Sequence, residues 1–189
     1  RWIFDPIDGT ANYVRGIPVW ATLIALEEGG EMVVGVASAP LLGRRWWAAR
    51  GMGAWGNGER LRVSTVSSLA EAQLSYAAQV TFEECGLGPQ GEALSRLCRR
   101  TRGFGDFWSY MLVAEGAVDV TADPIVSIWD VAAPQVIVEE AGGCFTDFTG
   151  RRRVDGGTAL ATNGLLHEAA LAVLSDPAPA VPPRTGVVP

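Results

Sequence analysis

The sequence predicts an α+β fold, with an antiparallel meander first and alternating strands and helices after it. Three observations predict this. Two apolar, β-rich runs at 22–28 and 32–38 flank Gly29-Gly30, which is a hairpin signal. A polar connection at 64–70 separates that strand-like part from one where helical spacing appears. A chain of 189 residues, 48% hydrophobic and 19% charged, suits one globular domain or two small ones sharing a core.

The first element is an apolar strand, Trp2-Ile3-Phe4, that runs straight into Asp5-Pro6-Ile7-Asp8-Gly9-Thr10. This stretch concentrates two carboxylates, the Ile7 carbonyl and the Thr10 hydroxyl. These are hard oxygen ligands of the kind that hold Mg²⁺, with water and substrate phosphate in the remaining positions. Pro6 fixes φ and so sets the direction of the acids. Gly9 lets the backbone approach a ligand. A plain turn of Asp, Pro and Gly is the competing reading. Residues 11–16 are expected to begin as one helical turn, with the Gly9 and Thr10 amides at a helix N-terminus, where phosphate binds well. The hairpin follows, then a third strand at 45–49. Gly51, Gly53, Gly56, Asn57 and Gly58 read as tight turns, and 61–63 as the closing strand. Trp20, Trp46, Trp47 and Trp55 read as core and sheet-face packing.

Beyond the connection, 73–77 reads as a strand and 90–100 as a helix, with Arg99, Arg100 and Arg102 at its C-terminal end, where cations suit the helix dipole. An apolar helix at 107–115 has Asp106 as its N-cap candidate and Gly116 as its stop. A strand at 118–122 leads to Asp123-Pro124. A helix opening at Trp129-Asp130 runs to Glu140, with Pro134 assigned to its first turn. Strands at 144–147 and 159–161 and a helix at 165–174 complete the pattern. The division expected is 1–67, an antiparallel part; 68–176, an α/β part; and 177–189, a disordered tail with five prolines.

Composition narrows the function. The net charge of −6 argues against a nucleic-acid surface. Three cysteines at no metal-like spacing read as reduced thiols in a cytoplasmic protein. No apolar run approaches a membrane span. The single histidine, His167, is expected at the surface. The opening residues read as a core strand and not a signal peptide, so the chain is expected to lack the leading part of its fold. Asp5, Asp8 and Asp130 share one pattern: acids at strand ends or helix starts, where layered α/β folds place their crevice. Three acids, one carbonyl and one hydroxyl suit two Mg²⁺ ions bridged by a phosphate. No covalent phosphatase motif is present, so direct attack by water is the simpler mechanism.

The stretches WIFDPIDGT at 2–10 and WDVAAPQVIVEEAGG at 129–143, in that order, resemble the inositol monophosphatase family of Mg²⁺-dependent, lithium-sensitive phosphomonoesterases. The resemblance covers 1–174. It implies a layered αβαβα sandwich of the inositol monophosphatase/fructose-1,6-bisphosphatase type and a homodimer. It implies that Asp5, the Ile7 carbonyl, Asp8 and Asp130 hold two or three Mg²⁺ ions. Gly9 and Thr10 would bind phosphate, and Thr10 with Asp8 would direct the attacking water. GIPVWATLIAL, GRRWWAARG and GDFWSYMLVAEGAVDVTADP resemble the histidinol-phosphatase branch of the family, which acts in histidine biosynthesis. On that resemblance Asp106, Asp123 and Asp130 meet the substrate, whose ammonium and imidazole suit carboxylates. An inositol or broader sugar phosphate is the alternative substrate. The resemblance also implies leading helices with a further Glu metal ligand. These are absent from the sequence, so a non-catalytic fragment that binds metal or a partner subunit is the reading from another class.

Overall fold

The computed structural model describes residues 1–181. The first sheet has six antiparallel strands in chain order: β1 (Trp2–Asp8), β2 (Ala21–Glu28), β3 (Glu31–Ala39), β4 (Arg44–Ala49), β5 (Gly53–Gly56) and β6 (Glu59–Arg60). A short helix, α1 (Thr10–Val14), follows β1. The second part holds β7 (Gln73–Ser75), α2 (Gln79–Glu84), α3 (Gly88–Leu97), β8 (Arg100–Arg102), α4 (Asp106–Ala114), β9 (Val120–Asp123), α5 (Ile128–Glu140), β10 (Cys144–Thr146), β11 (Ala159–Thr162) and α6 (His167–Ser175). Its five strands lie in the order β10-β11-β9-β7-β8. β7 runs parallel to β8 and β9, and the other pairs are antiparallel.

Two cores set the layers. In the first, α4 and α5 lie between the sheets, packing Phe107, Met111, Val131 and Ile137 against Leu23, Ala37 and Trp46 on one side and Phe145, Ala159 and Ala161 on the other. The stretch 131–138 of α5 is buried all round because it is covered on both sides. Five alanines, Ala21, Ala25, Ala37, Ala48 and Ala54, stand buried on the inward face of the first sheet among the larger Leu23 and Trp46. A Cβ at Gly35 would meet the Ala133 carbonyl oxygen well inside van der Waals contact, so β3 and α5 lie as close as backbones allow. In the second core Phe82, Leu94, Ala170 and Leu174, from α2, α3 and α6, cover the far side of the second sheet. Glu115, just past α4, accepts hydrogen bonds from the Trp46 indole at 2.6 Å and from the Arg44 guanidinium, which ties α4 to β4.

Several sequence expectations are corrected here. The glycines at 53 and 56 bound a strand, β5: Gly53 takes a left-handed φ of +76°, and Gly56 lies tightly against Leu61 and Trp46. The ladder ends at β6, so 61–63 is not a strand, although the Leu61 N–H still bonds the Ala54 carbonyl at 2.9 Å. Arg100 and Arg102 do not cap α3. They are the outward residues of edge strand β8, around half-buried Thr101. α2 has no signal in the sequence, because its single buried residue, Phe82, gives no periodicity. Pro134 sits in the second turn of α5 and not the first, where its missing N–H leaves the Asp130 carbonyl without its helical donor. His167 is not a surface residue. It is only 4% exposed, its ring nitrogens lie 2.9 and 3.2 Å from the Thr146 and Thr162 hydroxyls, and burial lowers its pKa. The expected disordered tail at 177–189 falls largely on residues 182–189, which lie outside the described residues. No helix among the described residues is long and apolar enough to cross a membrane.

Candidate metal and substrate site

The site begins with a fault in the first strand. Asp5 lies opposite Leu23 and Asp8 opposite Ala21, so β1 carries one more residue than β2 across that interval. Side chains alternate along a strand, and two residues three apart would face opposite sides. The bulge at Pro6-Ile7 absorbs the extra residue and turns both acids to one side. The acids therefore belong to the strand itself and not to a turn after it, as the sequence alone suggested. Asp130 joins them from the first turn of α5, whose packing between the sheets carries it to the end of β1.

One carboxylate oxygen from each of Asp5, Asp8 and Asp130 lies within 4.8 Å of the others. Each acid is also held by a backbone N–H. Ile7 donates to Asp5 Oδ1 at 3.0 Å, Phe107 to Asp8 Oδ2 at 2.8 Å, and Ser127 to Asp130 Oδ2 at 2.7 Å. Asp8 is 7% exposed. Burial pushes its pKa up to about 8 against the help of the Phe107 N–H, and the Asp106, Asp5 and Asp130 charges add to the rise. Burial raises Asp130 as well. None of the ion pairs among the described residues involves these three acids, and the chain has no lysine. Clustered, partly buried carboxylates without a protein cation fit a hard divalent cation.

Gly9 and Thr10 follow directly. Gly9 has φ +77°, and a Cβ there would lie 2.9 Å from the Val19 carbonyl oxygen and 3.2 Å from Asp106 Oδ2. Only glycine fits such a place without strain. The Thr10 hydroxyl donates to the Ile7 carbonyl at 2.8 Å.

Asp106 and Asp123 both come to this region and differ in setting. Asp106 is not the N-cap of α4, a place taken by Gly105. It is the first helical residue, half-buried, with φ +47°. The Asn12 side-chain amide donates to its Oδ2 at 3.0 Å. Asp123, the last residue of β9, is 6% exposed. The Tyr110 hydroxyl donates to its Oδ2 at 2.7 Å and the Ala77 N–H to its Oδ1 at 3.2 Å. Burial pushes its pKa up to about 6, and the charges of Asp106 and Asp130 contribute. Asn12 and Tyr110 were missed in the sequence. Tyr110 had a signal, since it lies one helical turn after Asp106 on the same face. Asn12 had none, because its partners are 94 and 7 positions away.

A carboxylate cluster at the end of a bulged strand, beside a glycine turn that opens a helix, fits a metal-dependent phosphatase. The chain belongs to the inositol monophosphatase family, whose model matches residues 1–177. It is 52% identical over 184 residues to the histidinol-phosphatase of Streptomyces coelicolor, covering 93% of this chain and 69% of that protein. It is also 52% identical over 180 residues to the histidinol-phosphatase of Mycobacterium tuberculosis, with the same coverage. Among solved structures, an inositol monophosphatase of Thermotoga maritima superposes with a TM-score of 0.82 at 38% identity, over 92% of this chain and 67% of that one.

Proposed function

We propose that this chain carries the catalytic centre of a Mg²⁺-dependent histidinol-phosphatase, hydrolysing L-histidinol phosphate to L-histidinol and inorganic phosphate. The chemical class is supported by the three carboxylates, each aimed by one backbone N–H. The substrate is supported by the 52% identity to two histidinol-phosphatases. On this reading Asp5, Asp8, Asp130 and the Ile7 carbonyl hold the cations. Bound there, Mg²⁺ supplies Lewis acidity and neutralises phosphate charge that no lysine of this chain can meet. Gly9 and Thr10 seat the phosphate at the start of α1. The Thr10 hydroxyl, whose proton is committed to Ile7, has its lone pairs left to accept a proton-bearing edge of the attacking water. Asp8, with one oxygen pinned to Phe107, orients that water from the other side. Water adds to phosphorus, the ester P–O bond breaks, and the alcohol leaves with a proton. Asp106 and Asp123, with Asp130, meet the substrate's cationic end, Asp106 being the more accessible of the first two. As in the family, the working form is proposed to be a cytoplasmic homodimer that lithium inhibits.

The test is phosphate release from L-histidinol phosphate and from inositol 1-phosphate, with Mg²⁺ and with chelator. It is run on this chain and on a chimera completed with the part of the Streptomyces relative outside the match. Mg²⁺-dependent release that favours histidinol phosphate is expected. Equal or reversed preference would assign the chain to inositol or broader sugar phosphates, and metal-independent release would remove the mechanism.

A further inference from the structure

Asn12 has no role in the reaction just described, yet its side chain joins two parts of the site. Its amide nitrogen lies 2.9 Å from the Val19 carbonyl oxygen and 3.0 Å from Asp106 Oδ2. Both partners are acceptors only, so the nitrogen must face them and both of its protons are committed. Val19 is the residue whose carbonyl also bounds Gly9. The amide therefore fixes Asp106 against the turn that receives the phosphate.

The backbone supports the same conclusion. Asp106 takes a left-handed φ of +47°, one of two non-glycine residues with positive φ among the described residues. The other, Asn57, sits in a turn where its side chain bonds the Arg45 N–H and the Gly43 carbonyl. A staple between α1 and α4 needs no such conformation. Strain of this kind persists where the surroundings over-determine the residue, and it gathers at ligand-binding positions. Gly9 completes the arrangement by leaving room for the carboxylate.

We propose that Asn12 is a positioning residue for substrate selection, holding Asp106 by one oxygen so that the other is presented to a cationic alcohol beside the phosphate. The proposal rests on the function proposed above. It predicts that Asn12 acts only through Asp106.

The experiment compares kcat/KM for L-histidinol phosphate and inositol 1-phosphate, together with calorimetric affinities for L-histidinol and inositol, which require no turnover. The variants are Asn12→Ala, Asp106→Asn and the double variant. Asparagine is chosen at 106 because it tolerates the left-handed conformation. Asp106→Asn should lower the histidinol/inositol ratio about tenfold to a hundredfold, the size of a lost charge-assisted hydrogen bond. Asn12→Ala should lower it about threefold to tenfold, and should change it no further in the Asp106→Asn background. Asn12→Gln, whose amide is displaced by one methylene, is read the same way if Asn12→Ala does not fold. A ratio unmoved by Asn12→Ala, or lowered equally in both backgrounds, overturns the proposal and leaves the histidinol-phosphatase reading standing. A wild-type protein with no preference for the cationic ligand overturns both.

Discussion

The Phe107 N–H donates a 2.8 Å hydrogen bond to Asp8 Oδ2, joining residues 99 positions apart in the interior of the site. The bond comes from the N-terminus of α4, where free N–H groups and the helix dipole both favour a negative charge. It leaves the second oxygen of Asp8 to the carboxylate cluster. α4 also carries Asp106 and Tyr110, so one nine-residue helix aims Asp8, bears Asp106 and, through Tyr110, holds Asp123.

Asp130→Asn should abolish most phosphate release while leaving the fold intact. The asparagine oxygen can still accept from the Ser127 N–H, so the start of α5 keeps its cap. Activity should fall by more than the ~10–100-fold typical of losing an outer partner of a metal ligand. Tm should stay within about 2–4 °C of wild type, the equivalent of ~1 kcal/mol in a domain of this size. A variant that melts far earlier but turns over normally would make Asp130 structural.

The metal-free protein should lose stability as pH rises through neutrality. Asp8, with its pKa near 8, keeps in the fold a proton that the unfolded chain releases near pH 4. A raised carboxyl pKa means the folded state binds more protons, so unfolding is progressively favoured from about pH 4 up to about 8 and no further above it. His167 acts in the opposite sense, because its lowered pKa removes stability below about pH 6.5. The clean window is therefore pH 6.5 to 8. In chelator, Tm should decline across that window. A rising Tm would contradict the protonation assigned to Asp8.

Mg²⁺ should reverse that decline. A cation bound only by the folded state adds RT ln(1 + [L]/Kd), about 2.7 kcal/mol at a hundredfold excess over Kd. The gain should be greater at pH 8 than at 6.5, since the acids must ionise to ligate. Asp8→Asn should remove most of it. A gain of equal size in the variant would place the ion elsewhere.

Asp123 and Asp106 should separate in their effects on stability. Asp123→Ala strands the Tyr110 hydroxyl and the Ala77 N–H in the interior, at a cost of about 1–3 kcal/mol for each group left unpaired. Asp106→Gly removes the Asn12 contact but relieves a left-handed backbone, so its effect on Tm should be small. Urea denaturation of the two variants decides this, and equal losses would count against the burial difference described for them.

The three clustered carboxylates were legible in the sequence because their chemistry is local. Asp5 and Asp8 sit in one short stretch, and Asp130 opens a helix whose apolar run is plain. What stayed hidden depends on register and on distance along the chain. The bulge that turns Asp5 and Asp8 to one side is visible only against β2. Asp123 is placed at the substrate by resemblance alone, and only Tyr110 and Ala77 reveal that it is enclosed. His167 looked solvent-facing because one polar residue in a helical stretch usually is, and the two threonines that satisfy it come from β10 and β11. β5 is hidden by its glycines, which answer to a left-handed φ at Gly53 and to Leu61 and Trp46 beside Gly56.

Gly35 gives the site a gauge. Its hydrogen stands where any side chain would strike Ala133, three residues along α5 from Asp130. The depth to which α5 sinks toward the sheet is set by a missing methyl group, in a strand that contributes no ligand. Such a constraint acts in one direction. Thinning the helix side leaves a gap that neighbours can partly fill, while thickening the strand side lifts the whole first turn of α5, and Asp130 moves with it while Asp5 and Asp8 remain in β1. The geometry of the carboxylate cluster is thus calibrated from a position that has no chemistry of its own.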